Sequence, residues 1–117
     1  MKSKKIIKPW GYELLIEKNN KYMFKKLFMK KGHRCSLQYH KKKIETIFVV
    51  SGNLKIFYGK NKDKLKYKIF KPQNTITINP KIIHRMQAVN DCIYLEASTP
   101  EITDVVRLSD DYDRSVI

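Results

Sequence analysis

Four side chains of this sequence could share one cation: Gln38, His40, Glu45 and His84. Gln38 and His40 stand two apart, so on a strand both point to one side, together with Ser36. Glu45 follows across a turn made of Lys41, Lys42 and Lys43, and would open the next strand, which Gly52 closes. His84 comes far later and opens another strand just after Asn79-Pro80. An amide oxygen, two imidazoles and a carboxylate suit a borderline divalent ion such as zinc, manganese, iron, nickel or cobalt. Three or four protein ligands leave positions open for water or substrate, as a catalytic site requires. Each residue also has a plainer reading. His40 alone would be a hydrogen-bonded strand histidine, and Glu45 an exposed strand end beside Lys43. A buried Glu45 with no cation near it would be costly.

The elements that must position these groups are β-strands. Short runs rich in Ile, Val, Phe, Tyr and Thr recur between Gly, Asn, Asp and Pro. Strands are expected near Glu13–Ile16, Tyr22–Met29, Cys35–His40, Glu45–Val50, Leu54–Tyr58, Leu65–Phe70, Thr75–Ile78, His84–Val89 and Ile93–Ala97. Leu54, Ile56 and Tyr58, and again Ile76 and Ile78, recur with the period of two that turns one face inward. Turns are expected at Ser51-Gly52-Asn53 and over Gly59–Asp63. Thr103–Leu108 is the one stretch that reads as a short helix, with Thr103 as its cap. Nine short strands at this spacing predict an all-β sandwich or barrel.

The 117 residues fit a single domain, 1–117, whose 42% hydrophobic content is enough for a core. No run of about eighteen apolar residues exists, so a membrane span is excluded. The basic N-terminal segment is not followed by an apolar stretch, and the expected location is cytoplasmic. Cys35 and Cys92 are too few for a disulfide framework and read as free, buried thiols. The net charge of +14 comes mostly from scattered lysines, with arginine only at 34, 85, 107 and 114. Readers of nucleic acid favour arginine, and no recognition helix or aromatic RNA-binding motif is present, so nucleic acid is not expected as a partner. The positive field would instead steer an anionic small molecule. Seven of the eleven acidic residues lie from Asp91 onward, including Asp110, Asp111 and Asp113. Such a tail either packs on its own domain or a sister subunit, or stays solvated.

Gly32, Gln38, His40, Glu45 and Gly52 match the spacing of the first motif of the cupin double-stranded β-helix, with Gln38 at the position usually held by histidine. Asn79, Pro80 and His84 resemble the second motif, with Lys81 in place of its usual glycine and Asn79 in place of a proline. The closer resemblance is to the cupin domain of type II mannose-6-phosphate isomerases, from about Lys8 to Arg114. It is carried by Lys8-Pro9-Trp10-Gly11-Tyr12-Glu13, by Ser36 to His40 with Glu45 and Val49 to Gly52, and by His84-Arg85. Asp104 to Leu108 with Asp110, Asp111, Tyr112 and Arg114 complete it. A glutamine as first ligand is typical of that family. The sequence departs at Lys41, Lys42, Lys43 and Thr46, where the family usually has histidines, and at Lys26, where it has an arginine. The resemblance covers only the cupin half of the bifunctional members, so guanylyl transfer is not expected.

The resemblance implies an all-β jelly-roll barrel, a divalent metal held by Gln38, His40, Glu45 and His84, and aldose–ketose isomerisation of a phosphorylated sugar. Glu45 is the candidate base if it is not held on the metal, with a metal-borne hydroxide or a pocket lysine as alternatives. Lys26, on a neighbouring strand, is a second candidate catalytic group that would also face the phosphate. Lys41 and Arg85 are candidates for binding substrate. Arg85, next to a ligand, should point to the opposite face and pair with the acidic tail. Trp10, Tyr12 and Tyr39 read as packing residues and His33 as a surface residue. A non-catalytic module that binds metal and sugar is the main alternative, and a different metal enzyme the third. Exposed edge strands favour a homodimer.

Overall fold

The computed structural model describes residues 2–112 and 114, and its two sheets are built from eleven strands. Sheet A holds β1 (Lys4–Lys8), β2 (Gly11–Lys18), β3 (Met23–Met29), β5 (Glu45–Ser51), β8 (Thr75–Ile78) and β10 (Cys92–Ser98). Sheet B holds β4 (Leu37–His40), β6 (Leu54–Gly59), β7 (Lys66–Phe70), β9 (Ile83–Ala88) and β11 (Val105–Ser109). The orders are β1-β2-β3-β10-β5-β8 and β11-β4-β9-β6-β7, with every pairing antiparallel. This is the expected double-stranded β-helix: the chain crosses from sheet to sheet, so residues distant in sequence meet between them.

Alternation along each strand decides what meets there. Ile47 and Val49 of β5, Leu54 and Ile56 of β6, Met29 of β3 and Cys92 of β10 are fully buried and form the centre of the core. Burying each large aliphatic side chain is worth about 1.5–3 kcal/mol. Toward one end of the barrel the same inward positions turn polar, and that end holds the site.

The short helix expected over Thr103–Leu108 is a strand instead. Val105, Val106 and Arg107 pair with His40, Tyr39 and Gln38 of β4. Two adjacent β-branched residues and an open strand edge outweigh the weak capping signal of Thr103. A further strand, β1, lies in the basic N-terminal segment and pairs with β2. The acidic tail packs on its own domain: Asp111 takes a two-pronged hydrogen bond from Arg34 at 2.6 and 3.0 Å, and Tyr112 bonds His33, which is half-buried. Asp113 lies outside the described residues. Cys35 and Cys92 are free. No helix among the described residues is long and apolar enough to cross a membrane.

Candidate metal centre

His40 ends β4, Glu45 begins β5 and His84 is the second residue of β9. The turn between the first two is stapled from afar. The Asp104 carboxylate accepts hydrogen bonds from the backbone N–H groups of Lys42 and Lys43 at 2.7 and 2.8 Å. Thr99 Oγ1 accepts one from Ile44. This sets where Glu45 enters sheet A. His84 pairs in register with Gln38 on one side and Tyr58 on the other, so all three share a face.

The structure brings together one ligand atom from each of His40, Glu45 and His84 within 4.8 Å of one another, and all three residues are buried. Glu45 Oε1 is 3.0 Å from His84 Nε2 and 3.8 Å from His40 Nε2. His84 Nδ1 is 2.9 Å from the Ile82 carbonyl, which places the ring proton on Nδ1 and leaves the Nε2 lone pair facing Glu45. Two acceptors then confront each other at 3.0 Å in a buried site, and His84 Nε2 and His40 Nδ1 have no hydrogen-bond partner. A positive charge between them removes the conflict. A proton could supply it, and so could a divalent cation, for which two imidazoles and a carboxylate are a suitable donor set. The backbone bond to the other nitrogen of His84 is the usual support of a metal-ligating histidine.

Gln38 lines the same cavity, and its amide oxygen accepts from the buried Ser36 hydroxyl. That oxygen keeps a second lone pair, so Gln38 fits as a fourth donor.

The electrostatics match this reading. Burial alone would raise the Glu45 carboxyl pKa. His84, 3.0 Å away, together with Lys43 and His40, outweighs it and holds the pKa at about 2. Burial pushes the His40 imidazole down to about 4, against the pull of Glu45. At neutral pH the site therefore offers an ionised carboxylate and a neutral His40 imidazole, the forms that bind metal.

His40 and Glu45 stand at the wall of a cavity of about 160 Å³, with His84 fully buried beside them. The rest of the wall includes groups that sequence reasoning missed. Lys43 Nζ lies 3.5 Å from Glu45 Oε2 and 3.1 Å from Glu96 Oε2, with only 7% of its side chain exposed. Lys25 and Lys8 face Glu13 at 3.4 and 3.8 Å. Arg107, Arg114, Trp10 and Tyr94 also line the cavity. Burial raises the Glu96 pKa, and the charge of Glu45 adds to it against the pull of Lys43 and Lys25. Lys43 carried a signal, since it stands two residues before Glu45 and so on the same side of an extended chain.

Three of the expected residues do not reach the cavity. Lys26 alternates to the outer face of sheet A, opposite Leu95 and Leu14, and its neighbour Lys25 takes the inward position beside Glu96. Lys41 is exposed on the turn, where the inward lysine is Lys43. Arg85 points away from His84, as its parity requires. It donates to the carbonyls of Cys35 and Ser109 and lies 3.9 Å from Asp111. Arg85 is thus a structural link between β9 and the tail. Trp10 is 5% exposed and packs where the core meets the cavity.

The two sheets and the buried His-Glu-His cluster together define the chain as a cupin. Comparison with known families narrows this: residues 1–110 match the model described as mannose-6-phosphate isomerase C-terminal. The chain belongs to that family. No curated protein matched the sequence. Among solved structures, the capsular polysaccharide assembling protein CapF from Staphylococcus aureus superposes with a TM-score of 0.83 at 16% identity, over 93% of this chain and 32% of its own. KdgF from Halomonas sp. superposes with a TM-score of 0.74 at 12% identity, over 87% and 90% of the two chains. Oxalate decarboxylase from Bacillus subtilis gives 0.79 at 13% identity, over 91% and 30%. The chain spans about a third of the length of CapF and of the decarboxylase. At these identities the likeness is one of fold.

Proposed function

We propose that this chain is a metal-dependent sugar-phosphate isomerase that interconverts an aldose and a ketose of the mannose 6-phosphate and fructose 6-phosphate class, as a cytoplasmic homodimer. The observation that carries the proposal is the buried His40-Glu45-His84 cluster, which opens on a charged cavity in a chain of this family. The metal, held by these three residues and Gln38, would supply Lewis-acid stabilisation of negative charge on the sugar oxygens.

The protein's own groups then have definable tasks. Glu45 faces both imidazoles with one oxygen and Lys43 with the other, so it serves as a ligand and not as the base. Moving a proton from C2 of the aldose to C1 then calls for another base on the wall. Glu96 is the better placed candidate, because burial holds its proton affinity up while Lys43 fixes its direction. Trp10, Leu27 and Tyr94 supply an apolar floor that limits water.

Mannose 6-phosphate with Mn²⁺, Zn²⁺ or Co²⁺ should yield fructose 6-phosphate, with solvent deuterium entering at C1 of the product. Absence of both product and exchange with every metal, across several phosphosugars, rejects the isomerase.

One observation favours a second reading, a binding module without turnover. Both carboxylates other than Glu45 on the wall, Glu13 and Glu96, face lysines, and no histidine other than His40 lines the cavity among the described residues. Tight binding of metal and sugar phosphate with no exchange at C2 would establish that reading.

A further inference from the structure

Five cations line the cavity: Lys8, Lys25, Lys43, Arg107 and Arg114. Four of them face a carboxylate. Lys8 and Lys25 face Glu13, Lys43 faces Glu45 and Glu96, and Arg114 makes a two-pronged bond to Asp110. Arg107 differs. Among the described residues no carboxylate lies within ion-pair distance of it, and its Nε is shielded from solvent with no hydrogen-bond partner. A guanidinium half-withdrawn from water loses hydration that nothing in the described chain replaces. Its position is also defined. Arg107 pairs in register with Gln38, which pairs with His84, so the three side chains leave one face of sheet B from adjacent strands. Side chains opposite one another in such pairs have Cβ atoms roughly 5 Å apart.

We propose that Arg107 is the anion-binding residue of the cavity and receives the phosphate or carboxylate group of the small molecule bound beside the metal centre. The guanidinium offers a planar fork that matches two oxygens of such a group, which a lysine cannot do. The paired lysines then keep the carboxylates of the wall from repelling the ligand, and Arg107 supplies the net attraction. This rests on reading the cavity as a ligand site, but not on isomerisation.

Trp10 is the single tryptophan and lines the cavity, so its fluorescence reports occupancy. Inorganic phosphate, mannose 6-phosphate, gluconate and uncharged mannose are titrated into metal-free and Zn²⁺-loaded protein, as wild type, Arg107→Gln and Arg107→Lys. Wild type should bind phosphate or gluconate far better than mannose. Arg107→Gln should weaken the anion about 10- to 100-fold with or without metal, the scale of a lost charge-assisted pair. Arg107→Lys should recover part of that loss. Zinc stoichiometry and melting temperature should hold in both variants, because the Arg107 side chain bonds no described residue. Arg107-dependent binding of anion without turnover supports this assignment while rejecting the isomerase. Equal anion affinity in wild type and Arg107→Gln overturns it. So does the absence of millimolar anion binding to wild type, or a fall in melting temperature of several degrees at unchanged affinity.

Discussion

Replacing Lys43 with methionine tests the electrostatics of the whole site. Its ammonium lies 3.1 Å from Glu96 and 3.5 Å from Glu45, and its side chain is 7% exposed. At an effective dielectric of about 20, each contact represents about 5 kcal/mol of attraction, most of it spent on removing the charges from water. Methionine fills a similar volume, so the loss is that of the charge. Breaking a buried pair by deleting one partner typically costs about 3–5 kcal/mol. Glu96 can escape part of that cost by taking a proton, since its pKa is already raised. A carboxyl whose folded pKa lies above its unfolded value contributes stability below the unfolded value, and loses it as pH rises through the folded one. The variant should therefore lose about 3 kcal/mol at pH 7.5, or roughly 10 °C in melting temperature, and clearly less at pH 5. Metal binding should move the other way. The ammonium beside Glu45 repels a dication, so Lys43→Met should bind zinc more tightly and regain stability when zinc is added. Urea unfolding at the two pH values, with and without zinc, reads both effects. A loss below about 1 kcal/mol at both pH values would show that water screens the cavity. A parallel loss of stability and zinc affinity would show that Lys43 orients Glu45 for the metal rather than competing with it.

Three further outcomes follow from other parts of the molecule. Lys81 has φ of 69° at the position where the second cupin motif usually carries glycine, so Lys81→Gly should stabilise the protein by about 0.5–1 kcal/mol in thermal unfolding; a loss instead would show that the lysine side chain is needed there. Hydrogen bonds from Arg34 and Arg114 hold the Asp111 and Asp110 carboxyls below their ordinary range. The stability these groups add is complete above about pH 4 and lost as pH falls through their depressed values. Melting temperature should thus fall below pH 4, and less steeply in Asp111→Asn. Phe48, Val50 and Ile16 are exposed on sheet A at 39%, 43% and 39%; Phe48→Glu should convert the proposed dimer to monomer in light scattering, and a wild-type monomer at micromolar concentration would remove that proposal.

The all-β fold and the positions of His40, Glu45 and His84 were legible because both are written in local pattern. Period-two alternation marks the strands, and the motif spacing marks the donors. Which lysine faces inward was not legible. In Met23–Met29 both parities carry apolar residues, with Met23, Leu27 and Met29 on one and Phe24 and Phe28 on the other, so the sequence cannot say whether Lys25 or Lys26 points in. The choice is made across the sheet, where Glu96 on β10 stands opposite Lys25. Lys43 reads as a turn lysine until Asp104, far along the chain, folds that turn. The strand at Val105–Ser109 likewise exists only because β4 leaves an edge beside it.

These misplacements share a cause that bears on how the site works. Lys25, Lys43 and Arg107 have their inward direction set by partners distant in sequence, whereas the donors have theirs set within a motif. The His-Glu-His cluster is thus specified locally and its electrostatic surroundings globally. In this chain the turn before Glu45 has become Lys41-Lys42-Lys43, and the cluster of donors stays intact beside it. Lys43, whose backbone N–H is held by Asp104, pairs with two buried carboxylates, and its charge would oppose a cation bound at Glu45. Asp104→Asn keeps the shape of the staple and removes its charge. It should loosen the turn, weaken zinc binding and destabilise the protein together, and so separate placement of Glu45 from the competition exerted by Lys43.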